Sequence, residues 1–169
     1  MNAVRDTGTV RVKLPSGAGF VPLASVDGRV PVGSTLDTKH GTVHVFAATN
    51  AAGRLQDGHF HGGLFVIDQG RKNPLTTLSL AGGSLNLCGA EGTPHLRKRT
   101  LIGAARGRFR TRGRNSVATV RHARWRVTDT CAGTLTVVQR GTVKVRDLVK
   151  HRTVKLGPGQ SYLARRGNR

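Results

Sequence analysis

Apolar and polar residues alternate with a period of two along most of this chain. In Thr9-Val10-Arg11-Val12-Lys13-Leu14 the valines fall on one side and the basic residues on the other, the pattern of a half-buried β-strand. Thr142-Val143-Lys144-Val145-Arg146 and Ala123-Arg124-Trp125-Arg126-Val127 repeat it. The alternation predicts Val10, Val12, Ala123, Trp125, Val127, Val143 and Val145 as core. Helix signals are nearly absent, since the one Ala-rich stretch, Gly103-Ala104-Ala105, is too short. Turn formers recur every 8–12 residues or so, at Pro15-Ser16-Gly17, Asp27-Gly28, Gly53, Asp57-Gly58, Gly62-Gly63, Asn73-Pro74, Gly82-Gly83, Gly113, Gly133, Gly141 and Gly157-Pro158-Gly159. Together these features predict an all-β fold, either a β-sandwich or a β-roll of the jelly-roll kind.

A five-residue element recurs as Gly8-Thr9-Val10-Arg11-Val12, Gly41-Thr42-Val43-His44-Val45 and Gly141-Thr142-Val143-Lys144-Val145. It reads as a turn glycine opening an amphipathic strand. The recurrence raises a construction from two similar halves, with chance matches to a short strand pattern as the alternative. The length of 169 residues fits one domain, with a first half at 1–88, a loop at 89–105 and a second half at 106–169.

Charge separates those halves. The net charge is +20. Residues 1–84 carry 8 Lys+Arg against 5 Asp+Glu, and residues 85–169 carry 20 against 3. Such asymmetry makes the second half the expected contact surface for something anionic: nucleic acid, an anionic cell-wall polymer or acidic lipid headgroups. No apolar run approaches the roughly 18 residues of a membrane span. Met1 to Asp6 has no apolar stretch, so the reading expects a cytoplasmic protein or a leader lying outside this sequence.

The sharpest local feature is Arg106-Gly107-Arg108-Phe109-Arg110-Thr111-Arg112-Gly113-Arg114, with an arginine at every second position. On a strand these five would stand in one row about 7 Å apart, near the phosphate spacing of a nucleic-acid strand. Phe109 and Thr111 would then face the core, and Arg124 and Arg126 would add a second row. The plain alternative is a solvated face whose repulsion is tolerated. A second alternative is a disordered Gly-Arg segment that binds RNA, against which Phe109 and the alternation argue.

His59 and His61 share a strand face at a spacing usable for a metal. With Gly53 they match the start of the cupin motif G-x5-H-x-H. The match then stops, because Phe65 and Val66 stand where the motif needs a glutamate. His40 and His44 are candidates to join from a neighbouring strand, but polar surface histidines are the default reading and a metal pair at His59 and His61 only the alternative. No G-x-S-x-G elbow or phosphate loop occurs, and the eight acids are scattered singly, so no enzyme is expected and no cofactor. Asp129 reads as a turn residue, and Asp147 as the partner of an arginine. Two cysteines, Cys88 and Cys131, permit one disulfide or two buried thiols.

The strand patterns of the second half resemble the FecR-like domain. The similarity is carried by Ser116–Val127, by Gly133–Val145 and by Val154-Lys155-Leu156-Gly157-Pro158-Gly159-Gln160. In the first half it is carried by Val30–Thr38 followed by Gly41-Thr42-Val43. One departure is Val120-Arg121-His122-Ala123, where the family shows V-R-G-T. The resemblance implies a bacterial β domain outside the cytoplasm with no catalytic residues, a leader removed from the chain, and a Cys88–Cys131 disulfide. The resulting expectation is a non-enzymatic structural or binding module that meets an anionic polymer or a protein partner. A cytoplasmic or viral nucleic-acid-binding β protein and a cupin-like metal protein are the alternatives.

Overall fold

The alternating segments form long strands. A computed structural model describes residues 1–50, 52–70, 75–85, 88 and 98–167. The strands are β1 (Asn2–Lys13), β2 (Val21–Pro22), β3 (Thr35–Ala48), β4 (Leu55–His61), β5 (Leu64–Gln69), β6 (Thr76–Ala81), β7 (Arg99–Arg112), β8 (Ser116–Thr130), β9 (Gly133–Asp147), β10 (Thr153–Leu156) and β11 (Ser161–Arg165). A short 3-10 helix spans Leu23–Val26. All eleven strands belong to one hydrogen-bonded sheet.

The expected all-β fold is present, and its core takes the form of a five-strand barrel, β3–β4–β7–β6–β5, closing back on β3. Closure follows from two long strands that each change neighbour part-way. β3 pairs with β5 through Thr35–Asp37 and with β4 through Thr42–Ala48. β7 pairs with β4 through Ile102–Arg106 and with β6, in parallel, through Phe109–Arg112. β1 covers the outer edge of β3, and β8, β9, β10 and β11 extend the sheet beyond β7.

The predicted core residues are all buried: Val12, Val127, Val143 and Val145 completely, Trp125 to 1% exposure. Trp125, Phe60 and Phe109 form one aromatic cluster, with Phe60 5.4 Å from Phe109 and 6.2 Å from Trp125 between ring centroids. The indole Nε1 donates to Thr111 Oγ1 at 3.1 Å, which satisfies the one polar atom of a fully buried ring. Cys88 and Cys131 are disulfide-bonded, with Cα atoms 5.4 Å apart.

Three expectations are corrected. The stretch read as a loop at 89–105 is strand from Arg99 onward, with Leu101, Gly103 and Ala105 facing in; residues 89–97 lie outside the described residues. The small side chains at 103–105 hide the alternation because they carry little hydrophobic contrast. The glycines of the recurring element open no turns. Gly8, Gly41 and Gly141 lie inside β1, β3 and β9, where 12- to 15-residue strands bend. Gly8 (φ 63°) and Gly141 (φ 78°) take a left-handed backbone there, and a Cβ would collide with the carbonyl oxygens of His40 and His122 respectively. Asp57-Gly58 is likewise within β4 and makes no turn. The departure at Val120–Ala123 is a bulge of β8 opposite this bend of β9.

Candidate functional site: a basic outer face bordered by a histidine cluster

Inward placement of Phe109 and Thr111, both fully buried, forces Arg106, Arg108, Arg110 and Arg112 outward on β7. The row is bent. A register shift separates Arg106, opposite His122, from Phe109, opposite Val120. The bulge sits where β7 changes neighbour from β4 to β6. Gly107 (φ 118°) occupies it, and the side chain of Gln56 fills the place a Cβ would take. Gln56 Oε1 accepts the Arg108 backbone N–H at 2.7 Å, and its Nε2 donates to Thr76 Oγ1 at 2.9 Å. A buried amide thus fixes the corner around which the arginines run.

Arg114 leaves the row. It lies beyond the end of β7, its backbone N–H meets both Asp129 oxygens at 3.0 Å, and its Nη1 donates to the Leu85 carbonyl at 3.1 Å. The predicted second row is present: Arg124 and Arg126 are exposed and alternate with buried Ala123, Trp125 and Val127 on β8.

Strand register brings further cations onto the same face. Arg110 lies opposite Thr119, Thr119 opposite Lys144, and Lys144 opposite Lys155. One step along, Arg112, Val117 and Arg146 are aligned in the same way. Past the bend, Arg124 faces Arg140. Neighbouring strands are about 5 Å apart and alternate residues about 7 Å, so the cations form a two-dimensional array. Sequence reading missed Arg140, Lys144, Arg146 and Lys155. Their alternation was visible, but not that β9 adjoins β8 and β10 adjoins β9.

None of the cations of the array is ion-paired with a carboxylate among the described residues. Asp129 and Asp147 are completely buried. Asp129 accepts from Arg99 Nε at 2.8 Å and from Thr134 Oγ1, besides Arg114. This makes it the organiser of a strand-end turn, more than the simple turn residue expected. Asp147 pairs with no arginine among the described residues. It accepts the backbone N–H groups of Val149 and Lys150, each at 2.8 Å, and the Tyr162 hydroxyl at 2.8 Å. Burial opposes its ionisation, but these donors outweigh burial and hold its carboxyl below the usual range. Arg110 Nε is buried with no partner among the described residues.

Two hollows mark the face. One of about 730 Å³ is lined by Asp57, His59, Arg106, His122, Arg124 and Arg140, among others. The other, of about 360 Å³, lies between Arg108, Arg121, Thr142 and Lys144.

The first hollow adjoins the histidines. His44 on β3 is the cross-strand partner of His59 on β4, and their rings stack at 3.9 Å. His44 Nε2 lies 2.9 Å from Asp57 Oδ2, and His59 Nδ1 lies 3.0 Å from Asp6 Oδ2. Asp6 sits in a bulge of β1, between Arg5 and Thr7. His61, the expected partner of His59, is apart from this group. Burial, and then the charge of Arg124, push its pKa below the usual value. His40 lies opposite Thr9 on β1, outside the group. Asp57 was hidden by its reading as a turn, and Asp6 by the 53 residues that separate it from His59.

No protein-family model matches the chain, and a comparison with curated proteins finds no match. Among the described residues no helix is long and apolar enough to cross a membrane.

Proposed function

We propose that the β7–β8–β9 face binds an extended anionic polymer through its charged backbone, and that the protein is a non-enzymatic binding module working outside the cytoplasm. The observation that carries this reading is the array of Arg106, Arg108, Arg110, Arg112, Arg124, Arg126, Arg140, Lys144 and Arg146 on one face, facing no described carboxylate that would neutralise it. Asp57 stands opposite Arg106, but its carboxylate is turned to His44. Like charges on adjacent positions cost stability, and a polyanion removes that cost while releasing its counterions.

The placement of aromatics favours charge recognition over base reading. Trp125, Phe60, Phe65 and Phe109 are all fully buried, so this face offers none of them as a stacking platform of the kind single-stranded nucleic-acid binders use. The disulfide and the FecR-like strand patterns support an extracytoplasmic site, where a phosphodiester polymer is one anion of the kind this face fits.

Titration with a glycerol-phosphate polymer, an uncharged glucan and random-sequence DNA tests the reading. Expected are binding to the phosphodiester polymer, none to the glucan, and DNA binding without sequence preference. Absence of binding to every anion contradicts the proposal. Tight, sequence-selective DNA binding replaces it with the nucleic-acid alternative.

A further inference from the structure

The histidine cluster at the edge of the face has the composition and layout of a transition-metal site. His44, Asp57 and His59 each bring one ligand atom to within 4.8 Å of the other two, and no other such trio occurs among the described residues. We infer that these three residues bind one zinc-like divalent cation, with Asp6 as the carboxylate that orients His59.

The geometry is close to a coordination sphere. Ligand atoms around tetrahedral zinc lie about 3.4 Å apart, given metal–ligand distances near 2.1 Å. His44 Nε2 and Asp57 Oδ2, at 2.9 Å, already approach that spacing with a hydrogen between them, which the metal replaces. The third ligand atom, within 4.8 Å of the other two, must close by about 1.4 Å at most, a side-chain rotation at a partly exposed surface. Asp6, at 3.0 Å from Nδ1, accepts the proton of that nitrogen and leaves the Nε2 lone pair of His59 for the metal. Carboxylate–histidine–metal relays of this form recur in zinc sites. Two imidazoles and one carboxylate suit zinc or copper better than calcium or magnesium. Three protein ligands leave a fourth position, the open arrangement. Asp57 and His59 also line the 730 Å³ hollow, so that position lies beside Arg106 and Arg124.

This site differs from the cupin-type pair that the sequence offered as an alternative to surface histidines. His59 is shared, but His61 is replaced by His44 from the adjacent strand. It stands independently of the polymer reading, because the metal alone is the probe.

The test is calorimetric titration of zinc chloride into tag-free, chelator-dialysed protein. About one zinc per chain is expected, with a proton released on binding and affinity that weakens as added protons compete for the ligands. His44→Ala and His59→Ala should each weaken binding beyond tenfold or so, and Asp6→Asn about tenfold. His40→Ala should leave it unchanged. If either histidine variant misfolds, zinc-induced shifts of the wild-type imidazole NMR signals decide: they should be confined to His44 and His59. Substoichiometric binding, unchanged affinity in both histidine variants, or shifts centred on other histidines would overturn the assignment.

Discussion

Two regions of one sheet, β1–β3–β4 and β7–β8–β9, are built alike and end with opposite surfaces. Both use long strands that bend at mid-strand glycines, Gly8 and Gly41 in one and Gly141 in the other, and both bury valines on the inner side. They differ in where the carboxylates go. In the first region Asp6 and Asp57 stay on the outer face and pair with His59 and His44. In the second, Asp129 and Asp147 are drawn into the interior and serve the backbone. Net charge alone does not separate the two surfaces. Drawing the acids away from the surface that carries the cations does.

The largest effect that can break this comparison comes from its carboxylates. Asp129→Ala strands Thr134, the Arg114 N–H and the Arg99 guanidinium without their acceptor, and should cost about 3–5 kcal/mol. Asp57→Ala, at a surface pair in metal-free protein, should cost about 1 kcal/mol or less. Chemical denaturation of the two variants measures both, and similar losses would show that the acids play one role in both regions.

Next in size is the corner of the arginine row. Gly107→Ala places a Cβ against Gln56 at a φ that L residues rarely adopt, and should cost roughly 2–3 kcal/mol and weaken polymer binding beyond its effect on stability. A neutral outcome by denaturation and binding would mean that the bulge does not set the row.

How far the sequence discloses these regions depends on the range of the interactions. Val10, Val12, Val127, Val143 and Val145 are legible because their strands alternate strongly with basic neighbours. Phe109 and Thr111 are legible for the same reason, and so is the outward direction of Arg106 to Arg112. Arg99–Ala105 is not, because glycine and alanine give alternation no contrast. The bends at Gly8 and Gly141 read as turns because a positive-φ glycine serves both. The histidine cluster draws on β1, β3 and β4, and only strand register puts those residues side by side.

The smallest expected effect lies where the regions meet. His61 has its pKa lowered by burial and by Arg124. A histidine that resists protonation when folded adds stability above its unfolded pKa, near 6.5, and that contribution is lost as pH falls below it. Arg124→Gln should raise the His61 pKa, partially and without restoring the full unfolded value, because the larger cause, burial, remains. NMR titration of the His61 ring reads this directly. An unmoved pKa would place Arg124 too far from β4 to bridge the two surfaces.

The central claim is that the β7–β8–β9 cations, rather than the overall positive charge, contact the polymer. Its most direct test is the salt dependence of affinity for a glycerol-phosphate polymer. With about six contacts the logarithmic slope should be near −4, at roughly 0.7 per neutralised phosphate on a flexible strand. Arg110→Gln with Lys144→Gln should reduce its magnitude by about 1.4. Arg29→Gln with Arg54→Gln, which removes the same charge from the other region, should leave it unchanged. A slope near zero, or equal losses from the two pairs, would contradict the account.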